Sequence, residues 1–280
     1  MSGGRLMQRH LRGLERLLRR RAAALLPAVA LAAASPALLA GPVAERVQAR
    51  GTVRVCIWPS YQGVTYRDPR TRALSGMDID LSRHFARELG VQVDYVDSSM
   101  DSIVGDLVDD RCDIAMFALG ILLPRLQQLQ FSQPYLRSSV LAVTTKGSSV
   151  VRQWSDLDRP GIAVAVQSGA AIQFQAEQQL KHARVVPVRL PDTRERELLS
   201  GRVDAFMTTS VYARQLAMRA DWVQIVAPPR PSFTVPAGYA VRPGDAEWLS
   251  TVDAFVTRIK RDGRLREATR RHGLDGMAVP

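Results

Sequence analysis

Short apolar runs alternate along this chain with longer stretches in which apolar residues return every three or four positions. The run at 114–119 is uninterrupted, which is typical of a parallel strand that is covered on both faces. Leu81, Phe85 and Leu89 stand at i, i+4 and i+8 and predict a helix with one buried face, which Gly90 ends. The alternation predicts an α/β fold with mainly parallel sheets flanked by helices.

The same pattern predicts two α/β units in succession. In the first unit, strands at 53–58, 91–96 and 114–119 alternate with helices, and Pro124 starts a helical turn after the last strand. In the second unit, strands at 162–166 and 185–188 alternate with helices, one of them at 193–200. Strands at 140–145 and 238–241 lead from the first unit to the second and back. We therefore expect two lobes joined by two crossing strands.

The first 40 residues have a composition of their own. Seven arginines and Glu15 precede an apolar, Ala-rich run at 22–40 that contains Pro27 and Pro36 and ends in small residues. A basic front, an apolar middle and a small-residue end are typical of a secretory signal peptide. Cleavage after Ala40 is the preferred interpretation, and an uncleaved membrane anchor is the alternative. The twin arginines leave open whether export uses the general or the twin-arginine route.

The net charge of +11 is concentrated in this segment, which carries +6 of it. The remaining +5 is modest, and no basic stripe with interleaved aromatic residues is present, so the sequence does not indicate nucleic-acid binding. The chain is 46% hydrophobic and 23% charged, which is ordinary for a soluble globular protein. The four histidines and two cysteines form no metal-ligand pattern, so we expect no metal or cofactor.

Arg125 is the leading candidate for ligand contact. It follows Pro124 just beyond the carboxyl end of the strand at 114–119. Ligands of open α/β sheets bind at that end of the strands, and a guanidinium placed there can hold a carboxylate with two parallel hydrogen bonds. The alternative interpretation is a solvated arginine at a helix start.

Residues 111–139 resemble the type II periplasmic solute-binding proteins, chiefly the amino-acid-binding family. They read RCDIAMFALGILLPRLQQLQFSQPYLRSS, and the family run reads D-x-x-x-x-G-x-T-x-T-x-x-R followed by F-S-x-P-Y. The segments GMDIDL at 76–81 and GRVDA at 201–205 also follow the family. The resemblance covers about residues 43–275. It implies a periplasmic, monomeric two-lobe clamshell that delivers a small molecule to the membrane permease of an ABC importer.

The predicted domain limits follow from this resemblance and from the crossing strands. The signal peptide takes residues 1–40, the first lobe takes 41–142 and 237–280, and the second lobe takes 143–236.

The resemblance also names a set of ligand-contacting positions, several of which depart from the family. Gly120 and Leu122 stand where the family has hydroxyl residues, Val64 replaces an aromatic ring, and Thr209 replaces the aspartate that holds the ligand's ammonium group. The full candidate set is Arg125, Tyr61, Val64, Met100, Gly120, Leu122, Gly169, Ala170 and Thr209. These departures predict a carboxylate-bearing ligand that is not an ordinary α-amino acid.

Two other functions are weighed against solute transport. The D-I-A-M and P-Y-L-R runs also resemble cyclohexadienyl dehydratases, which need a carboxylic acid near the second-lobe helix start. Ile172 and Gln173 occupy that place, so we predict no enzymatic activity. The V-R-V-C, R-C-D and Y-L-R-S-S segments resemble solute-binding-like accessory proteins of quinoprotein dehydrogenases, which makes a periplasmic dehydrogenase the alternative partner.

Cys56 and Cys112 are the only cysteines. An exported chain meets an oxidising compartment, which favours a disulfide. Simple parallel register would stagger the two residues beyond the usual Cα separation of a disulfide. Two buried free thiols are therefore the expectation, with the disulfide left open.

Overall fold

A computed structural model of the protein describes residues 41–230 and 234–280, so the predicted signal peptide lies outside the described residues. The helices are α1 Pro42–Arg50, α2 Met77–Leu89, α3 Ile103–Val108, α4 Leu123–Leu126, α5 Ala171–Gln179, α6 Arg194–Leu199, α7 Ser210–Ala217, α8 Ala246–Arg261 and α9 Arg264–Arg271, with a 3₁₀ helix at Trp154–Asp158. The strands are β1 Thr52–Ile57, β2 Ser60–Tyr61, β3 Thr65–Arg67, β4 Leu74–Ser75, β5 Gln92–Asp97, β6 Ile114–Gly120, β7 Gln130–Phe131, β8 Leu136–Thr145, β9 Ala163–Gln167, β10 Arg184–Val188, β11 Ala205–Thr209, β12 Val223–Val226 and β13 Thr234–Val241.

The first lobe is built on parallel strands, as the sequence predicts. β1 pairs in parallel with β5 on one side and with β6 on the other. Its core is one large cluster of buried apolar residues, in which α2 contributes Leu81 and Phe85 and α8 contributes Trp248 and Phe255. The predicted helix stop is also correct, because Gly90 caps α2 in the left-handed conformation.

The second lobe repeats the arrangement. β9 pairs in parallel with β10 and β11, and two further apolar clusters cover the two faces of this sheet. Thr193 caps α6 by accepting a hydrogen bond from the backbone N–H of Arg196. This confirms the helix that the sequence predicts at this position.

The two lobes are joined by β8 and β13, which begin earlier than the predicted crossing strands. The first residues of β8, up to Ser139, pair antiparallel with β13. From Val140 onwards β8 pairs with β11 and then with β12. The resulting order β10-β9-β11-β8-β13-β6-β1-β5 runs through both lobes. The partner of β8 changes between Ser139 and Val140, and the predicted lobe limits stay a prediction.

The expectation of free thiols was wrong, because Cys56 and Cys112 form a disulfide with 5.6 Å between their Cα atoms. The register does place Cys56 opposite Ala115, three residues beyond Cys112. The chain bends at residues 111–113 instead of continuing as a straight strand. This bend brings Cys112 back towards Cys56, which an extrapolation from strand register alone could not show.

In the described parts of the chain, no helix has the length and apolar character needed to cross a membrane.

Candidate ligand-binding site

A cavity lies between the lobes beside the two crossing strands. We call it the apolar chamber; it is lined by Tyr61, Met100, Ala118, Gly120, Leu136, Ser138, Ala170, Ala171, Ile172, Thr209, Val235, Ala237 and Met277. Its volume, counted as the space that the centre of a water molecule can occupy, is about 60 Å³. On the same measure a single water molecule needs ~10–15 Å³. The lobes therefore stand close together around room for a small solute fragment.

A second cavity adjoins the first. We call it the arginine chamber; it is lined by Trp58, Tyr61, Met100, Gln167, Ala170, Ile172, Arg194, Thr208, Thr209 and Tyr212. Its volume on the same measure is about 40 Å³. Tyr61, Met100 and Thr209 belong to the walls of both chambers. The two chambers therefore lie side by side.

Five of the nine predicted site residues line the chambers: Tyr61, Met100, Gly120, Ala170 and Thr209. The other four do not. Val64 is buried in the first-lobe core, and Leu122 packs partly buried against a second-lobe cluster. Arg125 and Gly169 lie behind the chamber wall and contact each other. Ligand contact by the nine residues stays a prediction.

Arg125 is buried and bridges the lobes. Its Nη2 donates to the carbonyl oxygen of Met100 at 3.1 Å in the first lobe and to that of Gly169 at 2.5 Å in the second. Its Nη1 donates to the carbonyl oxygen of Gly120 at 3.2 Å. Burial lowers the pKa of the guanidinium to about 10, and the negative charge of Asp101 partly opposes this shift. The side chain is therefore still a cation at neutral pH, and its partners are neutral carbonyls.

The approach of the lobes at this point requires glycine. A Cβ on Gly169, which has a φ of +69°, would lie 2.7 Å from the carbonyl oxygen of Met100. A Cβ on Gly120 would lie 2.9 Å from the Cβ of Ala171 at the start of α5. Real Cβ contacts are longer than this, so larger residues at either position would separate the lobes. Gly120, which departs from the family's hydroxyl position, thus has a packing role of its own.

A buried carboxylate supports the apolar chamber from behind. Asp78 accepts hydrogen bonds from the hydroxyls of Tyr135 at 2.5 Å and Tyr239 at 3.0 Å, and from the backbone N–H of Ala118 at 3.0 Å. Burial raises the pKa of Asp78 to about 7, and these hydrogen bonds oppose the shift. Ala118 has a φ of +52° inside β6. The carboxylate thus holds an irregular strand segment that forms part of the chamber wall.

Thr209 caps a helix as well as lining both chambers. Its hydroxyl accepts a hydrogen bond from the backbone N–H of Tyr212 at the start of α7. No aspartate or glutamate lines either chamber among residues 41–230 and 234–280. An ammonium group in either chamber would therefore meet no carboxylate in the lining that the structure describes; Asp192 and Glu195 line an adjoining cavity instead.

Arg194 is the main site residue that sequence reasoning missed. It is the first residue of α6, it is only 7% exposed, and it lines the arginine chamber. In sequence it stands in TRERELL, where alternating charges indicate a solvated helix face. Nothing in that pattern distinguishes it from Arg196, which is exposed and pairs with Asp192. Only the tertiary structure reveals its burial.

Comparisons with known proteins cover most of the chain. The family model of the bacterial extracellular solute-binding proteins, family 3, matches residues 53–275. The cyclohexadienyl dehydratase of Pseudomonas aeruginosa is 28% identical over 80% of this chain and 83% of its own. The L-arginine-binding protein of the same organism is 25% identical over 77% of this chain and 85% of its own.

Among solved structures, an ancestral amino-acid-binding protein described as a precursor of cyclohexadienyl dehydratase superposes with a TM-score of 0.74. It is 30% identical and covers 82% of this chain and 98% of its own. The fold is that of a two-lobe, type II binding protein. The chain belongs to the bacterial extracellular solute-binding proteins of family 3.

Proposed function

We propose that this protein is a periplasmic solute-binding protein of an ABC importer and binds a small carboxylate-bearing solute between its lobes. Two features support the proposal. The family match covers most of the chain, and a cavity lies between the lobes beside the crossing strands, where closure would enclose a ligand.

The observation that carries the carboxylate is the state of Arg125. A buried guanidinium is costly to keep charged unless an anion or several acceptors compensate it. Among the described residues it has only carbonyl oxygens and the Met100 sulfur as hydrogen-bond partners. A ligand carboxylate that entered between the lobes could replace the Gly169 carbonyl and form a two-pronged ion pair with the guanidinium, since the carboxylate supplies the negative charge that a carbonyl lacks.

Ordinary α-amino acids, and basic ones in particular, fit the cleft less well. The chambers offer no carboxylate to an ammonium group among the described residues. Arg194 adds a second buried positive charge to the same cleft. A ligand with a guanidinium or ammonium side chain would be repelled there, whereas an acid without an α-amino group would not.

A thermal-shift screen of the purified protein tests the proposal. The probes are standard amino acids, mono- and dicarboxylates and small aromatic acids at equal concentration. Ligand binding raises stability in proportion to ln(1 + [L]/Kd), so carboxylates without an α-amino group are expected to give the largest shifts. Tight binding of glutamine or histidine would contradict the carboxylate assignment. A complete lack of response would favour the dehydrogenase-accessory alternative over solute transport.

A dehydratase activity is the second candidate, because a curated relative of that name matches most of the chain. The start of α5 argues against it. Ile172 is buried in the wall of both chambers, and Gln173 accepts a hydrogen bond from the backbone N–H of Gly169. Neither side chain can donate the proton that a leaving hydroxyl needs. We expect no turnover of prephenate or arogenate; turnover that a substitution in the chambers abolishes would establish the enzyme.

A further inference from the structure

We propose that Arg194 is a second anion-binding position, so that the natural ligand is dianionic, with an acidic group at each end. The inference rests on the proposed binding of a carboxylate in the same cleft and specifies the ligand class further.

The first support is the set of hydrogen bonds that Arg194 makes. Its Nη1 donates to the carbonyl oxygen of Met207 at 3.3 Å and to the hydroxyl of Thr208 at 3.0 Å. Its Nε and Nη2 make no hydrogen bond to the residues that the structure describes. Neither nitrogen is fully buried, so both remain accessible to solvent. Two donors of a side chain that is 93% buried are therefore open to solvent, and the side chain lines the arginine chamber and an adjoining cavity.

The second support is the charge around the guanidinium. Arg194 makes no ion pair with any described residue, whereas the neighbouring arginine, Arg196, does. The nearest acid in sequence, Glu195, accepts a hydrogen bond from the hydroxyl of Tyr212 at 2.5 Å. The protein thus places a buried cation beside Glu195, with which it shares an adjoining cavity, without pairing the two in a salt bridge. An anionic ligand group would remove this imbalance.

Aromatic packing explains how the guanidinium is held but leaves those donors unused. Its central carbon lies 4.9 Å from the ring centroid of Tyr212 and 5.4 Å from that of Phe206. Contacts of this kind stabilise a cation through the faces of the rings. The planar group is therefore fixed in orientation, and its free edge can donate hydrogen bonds to the two oxygens of a carboxylate. A purely structural arginine would not need that edge.

The positions of the two arginines define the ligand's shape. Arg125 donates to Gly120, part of the wall of the apolar chamber, whereas Arg194 lines the arginine chamber. Met100, Tyr61 and Thr209 connect the two chambers. A solute that meets both arginines carries its acidic groups at opposite ends of a short, mainly apolar body.

Isothermal titration tests this with α,ω-dicarboxylates from malonate to adipate and with the monoamide of each, which has one neutral end. In the unmodified protein, at least one diacid is expected to bind about 10- to 100-fold more tightly than its monoamide, the range for one charged hydrogen-bonding group. Arg194→Met is expected to remove this preference, because it should weaken diacid binding much more than monoamide binding. Arg194→Lys keeps the charge without the planar fork and should retain part of the preference.

Arg196→Met is the matched control, because it removes one positive charge from the same helix at an exposed position. It should leave the preference intact. If diacids and monoamides bind equally to the unmodified protein, or if Arg194→Met weakens both equally, the second anion position is refuted and carboxylate binding stands. If neither kind of acid binds, the proposed function itself fails. Even where a variant does not fold, the ratio of diacid to monoamide affinity in the unmodified protein tests the second anion position.

Discussion

Nη2 of Arg125 in the first lobe lies 2.5 Å from the carbonyl oxygen of Gly169 in the second. The same nitrogen donates to Met100 in its own lobe, so one buried side chain connects the two halves of the clamshell at the back of the cleft. This contact joins the lobes where Gly169 allows the backbones to approach.

The first prediction concerns closure. Arg125→Ala removes the donors to three carbonyl oxygens and is expected to lower the free energy of unfolding by about 1–3 kcal/mol. It should also open the ligand-free protein, which small-angle X-ray scattering would detect as a larger radius of gyration. The control is Arg189→Ala, since Arg189 pairs with Asp101 across the same cleft but has a largely exposed side chain. Equal effects of the two substitutions would contradict a special role of Arg125 in closure.

The second prediction concerns pH. The pKa of Asp78 is about 7 in the folded protein, above its ordinary value of 3.8, because the carboxyl is buried. The folded state therefore holds this proton more tightly than the unfolded state does. The resulting stabilisation is complete below about pH 4 and is lost as pH rises through 7. From pH 5 to pH 8 this group should lower the free energy of unfolding by about 2–3 kcal/mol.

Asp78→Asn tests that assignment, because it cannot titrate and keeps one oxygen acceptor. Chemical unfolding at a series of pH values should show a smaller decline for the variant than for the unmodified protein. Other titrating groups, including His84, whose burial lowers its pKa, contribute to both curves and cancel in the difference. Parallel curves would show that Asp78 does not control this pH range.

The third prediction concerns the disulfide. Cys56 and Cys112 are 56 residues apart, and closing a loop of this length stabilises a folded protein by about 4 kcal/mol in the chain-entropy description. Reduction should lower the denaturation midpoint accordingly. The Cys56→Ala/Cys112→Ala double variant is the control and should not respond to reductant. An unchanged midpoint on reduction of the unmodified protein, with both thiols titrated, would exclude this stabilisation.

The fourth prediction concerns the amino terminus. We expect the exported protein to begin at Gly41, because the apolar run at 22–40 ends in small residues. Gly41 is buried against Asp245, whose carboxylate accepts from the backbone N–H of Val43 at 2.8 Å. A Cβ on Gly41 would lie 2.1 Å from Oδ1 of that carboxylate. Intact mass measurement of the periplasmic protein checks the cleavage site; a full-length form in the membrane fraction would contradict it.

The sequence by itself determined the fold class and most of its elements. Unbroken apolar runs indicate doubly covered strands, and residues such as Gly90 and Thr193 end or begin helices through local geometry that does not depend on distant parts of the chain. The place of Arg125 just beyond the end of β6 also follows from the sequence, whereas its contact with a ligand stays a prediction.

The tertiary structure decided what local patterns do not encode. The bend at residues 111–113 brings the two cysteines together despite their strand register. Arg194 becomes a chamber residue and Arg196 a surface residue, although both look alike in sequence, because Arg194 packs against β11 and Tyr212 of its own lobe and Arg196 does not. The burial of Asp78 between two tyrosines far away in sequence likewise sets its pKa. Charge, exposure and hydrogen-bonding partners depend on contacts between distant segments, and only the folded chain forms them.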